Sequence, residues 1–217
     1  MTNQEVSELV DKYFDNEGYE FPDHFEHRYD VDSSAVLYSL IREHSPQSCL
    51  SIGCWQGGSS CVIMTALQKN RKKFIYYASE LMDELRFKTA LHVFEKCNAS
   101  PIMLNDITLN KDNLPHSLDF LFIDTDHDKK TTQWIFEEVI PRVRPGGLIA
   151  IHDWAVWEED GKWVGKGEGR GGWEETDYIM TLHEKGELPL KKIYWNCHNP
   201  FREGQDPNHE ASFWEKI

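Results

Sequence analysis

The chain is short of positive charge. Its 23 Lys and Arg residues stand against 37 Asp and Glu, for a formal charge of −14. Affinity for phosphate backbones comes from clustered Lys and Arg, so this balance argues against duplex DNA or bulk RNA as partners. It disfavours an anionic membrane surface for the same reason. No apolar run approaches the roughly 20 residues that cross a bilayer. The amino end, Met1-Thr2-Asn3-Gln4-Glu5-Val6, is polar and acidic, unlike a secretory signal. Cysteine is sparse too: five residues, odd in number and without C-x-x-C spacing. They read as reduced thiols of a cytoplasmic protein, several of them small core residues. There is no internal repeat and no low-complexity tract. What remains is a 217-residue chain, long enough for one α/β domain with a sizeable core.

Strands and helices alternate along it. Residues 3–15 carry Val6, Leu9, Val10, Tyr13 and Phe14 at helical spacing, and a second helix is expected from Ser33 to Glu43, capped by Asp32 or Ser33. Residues 1–45 form this helical lead-in. Residues 46–217 then read as one α/β unit, with strands at 48–53, 73–79, 101–104, 118–123 and 148–151 and helices at 58–69, 84–97 and 129–140. Repeated βα units of this kind imply a mostly parallel sheet with helices on both faces. A helix at 173–185 and strands at 190–197 and 211–217 complete it. Residues 158–172 hold six glycines mixed with charges and read as a lid or substrate loop over the strand ends. Trp154, Trp157, Trp163 and Trp173 flank it, suited either to stacking on a ring or to packing.

The first strand runs into Ser51-Ile52-Gly53-Cys54-Trp55-Gln56-Gly57-Gly58-Ser59-Ser60. A glycine turn between strand and helix lets backbone N–H groups approach a ligand where no side chain would fit. The dinucleotide pattern G-x-G-x-x-G does not match this spacing. Gly53 and Gly58 fit a P-loop, but Ser59 stands where the phosphate-binding lysine belongs. Gly53 to Gly57 does match the G-x-x-x-G turn of class I S-adenosylmethionine (SAM) methyltransferases. On the loop alone, a cofactor turn and a close-packed turn without a ligand stand level.

In open α/β sheets, ligands bind beyond the carboxyl ends of the strands. Those ends here are Gly53, Glu80, Asp106, Asp124 and His152-Asp153. An acid at the second strand's end accepts hydrogen bonds from both ribose hydroxyls, and Glu80 stands there. Asp106 is placed to accept from an adenine amine, or else to cap a turn. Asp124, His152 and Asp153 end neighbouring strands. Two carboxylates with an imidazole suit a divalent cation, Mg²⁺ or Mn²⁺; helix capping by Asp126-His127 is the competing reading.

The segments Ile123-Asp124-Thr125-Asp126-His127 and Pro145-Gly146-Gly147-Leu148-Ile149-Ala150-Ile151-His152-Asp153 resemble the I-D-x-x-H and P-G-G-x-x-x-x-H/E-D motifs of metal-linked class I SAM methyltransferases. That group includes sugar O-methyltransferases of macrolide pathways and cephalosporin hydroxylase-like proteins. The resemblance runs from about Ser33 to the carboxyl terminus and is weakest beyond Trp157. It implies a seven-stranded Rossmann-like sheet in the order 3-2-1-4-5-7-6, with the last strand antiparallel. It places Gly53 and Gly57 by the methionine part of SAM, with Ser51 and Ser59 as further cofactor candidates. Glu80 falls on the ribose, Asp106 by the adenine, and Asp124 at both cofactor and metal. Asp153 matches a metal ligand, His152 stands where relatives have Glu, and His127 matches a general base paired in catalysis with Asp124. Ser51 departs from the pattern: the family carries an acid there to orient the cofactor's amino end.

The implied chemistry is methyl transfer to a hydroxyl of a small sugar or phenol-like acceptor. A cation would orient and acidify that hydroxyl and His127 would take its proton. The expected partners are that acceptor and, at most, further copies of this chain. A SAM-fold binding protein without turnover is the alternative. A nicotinamide-dependent oxidoreductase is a further, less favoured alternative; the G-x-x-x-G-G spacing and the missing Tyr-x-x-x-Lys segment speak against it.

Overall fold

The structure is a computed structural model. It describes residues 1–17, 31–54, 57–80, 91, 94–95, 101–105, 111–125, 128–152, 156–159, 162–165, 174–195 and 211–217. Helix α1 spans Asn3–Val10, opened by a capping box in which Thr2 and Glu5 satisfy each other's backbone N–H groups. It continues as one wide turn over Asp11–Asp15. Helix α2 spans Val31–His44. It therefore starts before the expected cap, and Ser33 sits buried inside its first turn rather than at its end. Strand β1 (Ser48–Ile52), helix α3 (Gly58–Lys69), strand β2 (Ile75–Glu80) and strand β3 (Ile102–Asn105) follow. Most of the helix expected at 84–97 lies outside the described residues. Strand β4 (Leu118–Ile123) leads to α4 (Lys129–Trp134), which runs on through a wide turn and a tight turn to Arg142. Strand β5 (Val143–His152) comes next.

Strands β6 (Val156–Glu159) and β7 (Lys162–Gly165) pair as an antiparallel hairpin. The hairpin takes up the first part of the segment read as a lid or substrate loop, whose residues 160–161 and 166–172 lie outside the described residues; Asp160-Gly161 is a two-residue hairpin turn signal in the sequence. Helix α5 (Glu174–Glu184), strand β8 (Leu190–Trp195) and strand β9 (Ala211–Lys216) close the chain.

Seven strands form one sheet in the order β3-β2-β1-β4-β5-β9-β8. Pairing is parallel from β3 through β5, and β9 is antiparallel to both of its neighbours. This is the order and the reversal that the resemblance implies. Side chains alternate between the two faces of the sheet. On one face Cys49, Phe120, Phe122, Leu148, Ala150 and Phe213 pack against α2 and α3. On the other, Leu50, Ile52, Leu121, Ile123, Ile149, Ile151 and Trp214 pack against α4 and α5. Both faces are covered, so the central strands read as near-continuous apolar runs. At the far edge Asp119 accepts from the N–H groups of Gln47 and Ser48 and pairs with Arg144. Partial burial raises its pKa, but these partners outweigh that and hold the carboxyl below its ordinary range.

One thiol expectation is corrected. Cys61 on α3 is disulfide-bonded, its partner lying outside the described residues, whereas Cys49 and Cys54 are free and buried. Five reduced thiols can therefore no longer be used to place the chain in a reducing compartment. No helix among the described residues is long and apolar enough to cross a membrane.

Candidate active site at the carboxyl ends of the strands

Hydrogen bonds tie the tips of β1, β2 and β4 together. Gly53 donates its N–H to the Ser79 carbonyl at 2.9 Å, and Asp124 donates to the Ile52 carbonyl at 2.9 Å. Gly53 has φ +78°, and a Cβ there would lie 1.6 Å from the Asp124 carbonyl oxygen. Only glycine fits a positive φ pressed against backbone. Gly53→Ala is expected to cost about 3 kcal/mol or more, since strain and steric overlap add. A denaturant midpoint within error of the wild type would contradict that close approach. Gly57, at φ +89°, caps α3 and donates to the Cys54 carbonyl at 2.6 Å. The first N–H groups of α3 find no side-chain cap at Gly57.

Glu80 ends β2 and is almost fully buried. Its Oε2 accepts the Cys54 N–H at 3.1 Å, so the carboxylate is braced directly beneath the glycine turn. Burial, and then the Glu80 charge beside it, push the Cys54 thiol up. It stays protonated and adds no charge to the loop.

Alternation puts Ser51, Asp124 and His152 on the α2–α3 side of the sheet. Asp124 Oδ1 and His152 Nδ1 are 3.5 Å apart, both side chains mostly buried, and the His152 ring lies 6.4 Å from that of Phe122. Ser51 is fully buried. Its hydroxyl is engaged at 2.7 Å with the Tyr76 hydroxyl, which donates to Ser60 Oγ at 2.8 Å. A cleft of about 260 Å³, its open mouth included, adjoins this region. It is lined by Ser33 and Ser34 from the first turn of α2, Ser59 from the first turn of α3, and Phe122, His152 and Phe213 from the sheet. The first turns of α2 and α3 border it, and its exposed wall is almost wholly apolar. Ser33 Oγ is buried with no hydrogen-bond partner, as is Thr125 Oγ1 beside Asp124. Orphaned donors of this kind call for a ligand or solvent.

Of the residues singled out from the sequence, Gly53, Gly57, Ser59, Glu80, Asp124 and His152 stand around the sheet's carboxyl edge. Ser51 lies just below, in the hydroxyl chain. Asp106, His127 and Asp153 fall outside the described residues. No group of three His, Cys, Asp or Glu side chains among the described residues is placed to hold a metal ion. Sequence reasoning missed Tyr76 and Ser33. Tyr76 lies in an apolar strand and reads as core, and Ser33 reads as a helix cap.

Residues 50–154, nearly half of the chain, match the family described as a methyltransferase domain. No curated protein matches the chain in sequence. Among solved structures, an O-methyltransferase from Bacillus cereus in complex with S-adenosylhomocysteine (SAH) is 16% identical, with TM-score 0.63, over 100% of this chain and 92% of that one. The O-methyltransferase TomG from Streptomyces achromogenes, involved in tomaymycin synthesis and bound to SAM, is 13% identical, with TM-score 0.61, over 100% and 91%. An SAH-bound methyltransferase from Podospora anserina is 13% identical, with TM-score 0.60, over 96% and 88%. At such identities the likeness is one of fold. The matched stretch and the sheet order together give this chain the fold of the class I methyltransferases.

Proposed function

We propose that this chain transfers the methyl group of SAM to a hydroxyl of a small sugar or phenol-like molecule. The observation that carries the reading is the convergence of the Gly53–Gly57 turn, the braced Glu80 carboxylate and the Asp124–His152 pair at one sheet edge. O-Methyltransferases with SAM or SAH bound share the fold. When bound, SAM supplies a methyl group already activated on sulfur, and the protein's task is alignment.

Glu80 would accept from the ribose hydroxyls of bound SAM; the first turn of α3, with Ser59, and Ser33 of α2 would hold the carboxylate of its methionyl end, and Asp106 would hold the adenine amine. His127 takes the proton of the acceptor hydroxyl. Asp124, His152 and Asp153 are the residues that would hold a divalent cation, which supplies Lewis acidity toward that hydroxyl.

Calorimetry with SAH tests the cofactor, and transfer of labelled methyl to sugars, catechols and flavonoid-like phenols tests the reaction. Micromolar-order SAH affinity and label in an acceptor are expected. NAD binding in place of SAH would overturn the reading. A second reading, a SAM-fold binding protein without turnover, is favoured by one observation: Ser51 offers no charge where the family carries an acid. SAH binding with no label transferred to any acceptor would select it.

A further inference from the structure

The three hydroxyls of Ser51, Tyr76 and Ser60 form a chain from the tip of β1, across β2, to the first turn of α3. Ser51 stands opposite Ala78 in the pairing of β1 with β2, and Tyr76 stands opposite Cys49, so Tyr76 reaches along the strand direction to meet Ser51. Ser51 donates to the Tyr76 oxygen at 2.7 Å, and Tyr76 donates to Ser60 at 2.8 Å. All three residues are essentially without solvent exposure. A polar chain in an apolar setting is costly unless every member is satisfied, and satisfied it fixes one arrangement.

The arrangement fixed here is the distance between β1 and the start of α3. Cys54 and Gly57 stand on the two sides of that gap; Gly57 donates to the Cys54 carbonyl, and Glu80 braces the Cys54 N–H from below. Ser60 directly follows Ser59, which lines the cleft. A shift of the helix start would move Ser59 off the ligand. Burial pushes the Tyr76 phenol up and its two serine partners pull it only partly back, so it remains a neutral donor at any working pH.

We infer that Tyr76 is a positioning residue for the cofactor: its hydroxyl clamps the first turn of α3 to β1 and so sets the geometry of the glycine turn. The inference rests on the reading of that turn as a SAM site. It also gives Ser51 a role, since in this chain the residue fastens the turn through a neutral bridge.

The test compares wild type with Tyr76→Phe, Ser60→Ala and the double variant, using SAH calorimetry, KM for SAM, and thermal unfolding. Tyr76→Phe is expected to weaken SAH about tenfold and to raise the KM for SAM similarly, with kcat at saturating SAM little changed. The double variant is expected to lose no more SAH affinity than Tyr76→Phe alone, because both break one bridge. Lowered melting temperature with SAH affinity and KM within twofold of wild type would overturn the inference and make the bridge structural only. Additive losses would overturn it as well. Should Tyr76→Phe fail to fold, Ser60→Ala and Ser51→Ala probe the same bridge from its ends, with the same expected loss and the same overturning result. Wild-type protein that binds no SAH would instead overturn the cofactor reading and the bridge's role with it.

Discussion

Glu80→Ala is expected to weaken SAH binding by about 10- to 100-fold. A carboxylate that accepts from two ribose hydroxyls makes charge-assisted hydrogen bonds worth about 1.5–3 kcal/mol together. The structure adds a second loss. Glu80 also holds the Cys54 N–H at 3.1 Å, so alanine would leave a buried backbone donor unsatisfied and slacken the turn. Glu80→Gln separates the two roles. Its amide oxygen keeps an acceptor for Cys54 while removing the charge from the ribose, so its affinity should fall between wild type and Glu80→Ala. Thermal unfolding should follow the same order without ligand, because the brace contributes to the apo fold. Calorimetry showing equal SAH affinity in all three proteins would remove the ribose assignment. Equal melting temperatures with a large affinity loss would remove only the brace.

The part of this arrangement that was legible from sequence is the part that follows from periodicity. Apolar runs ending in Gly53, Glu80, Asp124 and His152 mark buried parallel strands. In a parallel sheet all such ends share one edge. Phe120 to Asp124 and Leu148 to His152 then share faces by alternation alone, which brings Asp124 and His152 to 3.5 Å. The hydroxyl chain was not legible for the same reason that the strands were. Tyr76 sits in Phe74-Ile75-Tyr76-Tyr77-Ala78, where an aromatic residue signals core, and nothing in the pattern says that its hydroxyl meets a serine on another strand. Ser33 illustrates a boundary error. The helix starts at Val31, two residues early, so a residue read as a cap becomes a buried cleft wall. The glycines and charges of 158–172 mask the β6–β7 hairpin in the sequence, although Asp160-Gly161 is itself a turn signal.

Chelation should separate cation-assisted transfer from a reaction that relies on His127 alone. Asp124 and His152 lie 3.5 Å apart in a mostly buried setting, and Asp153 follows His152 in the chain. Carboxylates brought close together repel one another unless a positive charge stands among them. A divalent ion held by Asp124, His152 and Asp153 would relieve that repulsion and would supply Lewis acidity toward the acceptor oxygen. EDTA is therefore expected to lower methyl transfer by about 100-fold or more while SAH affinity stays within a few-fold, and Mg²⁺ or Mn²⁺ should restore the rate. Asp153→Asn should reproduce the EDTA result without further loss on chelation. Asp124→Asn should lose both rate and SAH affinity, since Asp124 is assigned to cation and cofactor alike. His127→Ala should lower the rate by about 10²–10⁴, the range of general-base contributions, while metal content measured by atomic emission stays that of wild type. Full transfer in EDTA, with no metal in the purified protein, would exclude the cation. His127 would then be left to activate the hydroxyl alone, and the Asp124–His152 contact would be a structural ion pair. The pH dependence distinguishes the two outcomes further. A rate that depends on His127 as a neutral base rises with pH through the imidazole range, near 6.5 when unperturbed, and flattens above it. In Asp153→Asn that rise should persist on a lower plateau, whereas in His127→Ala it should vanish.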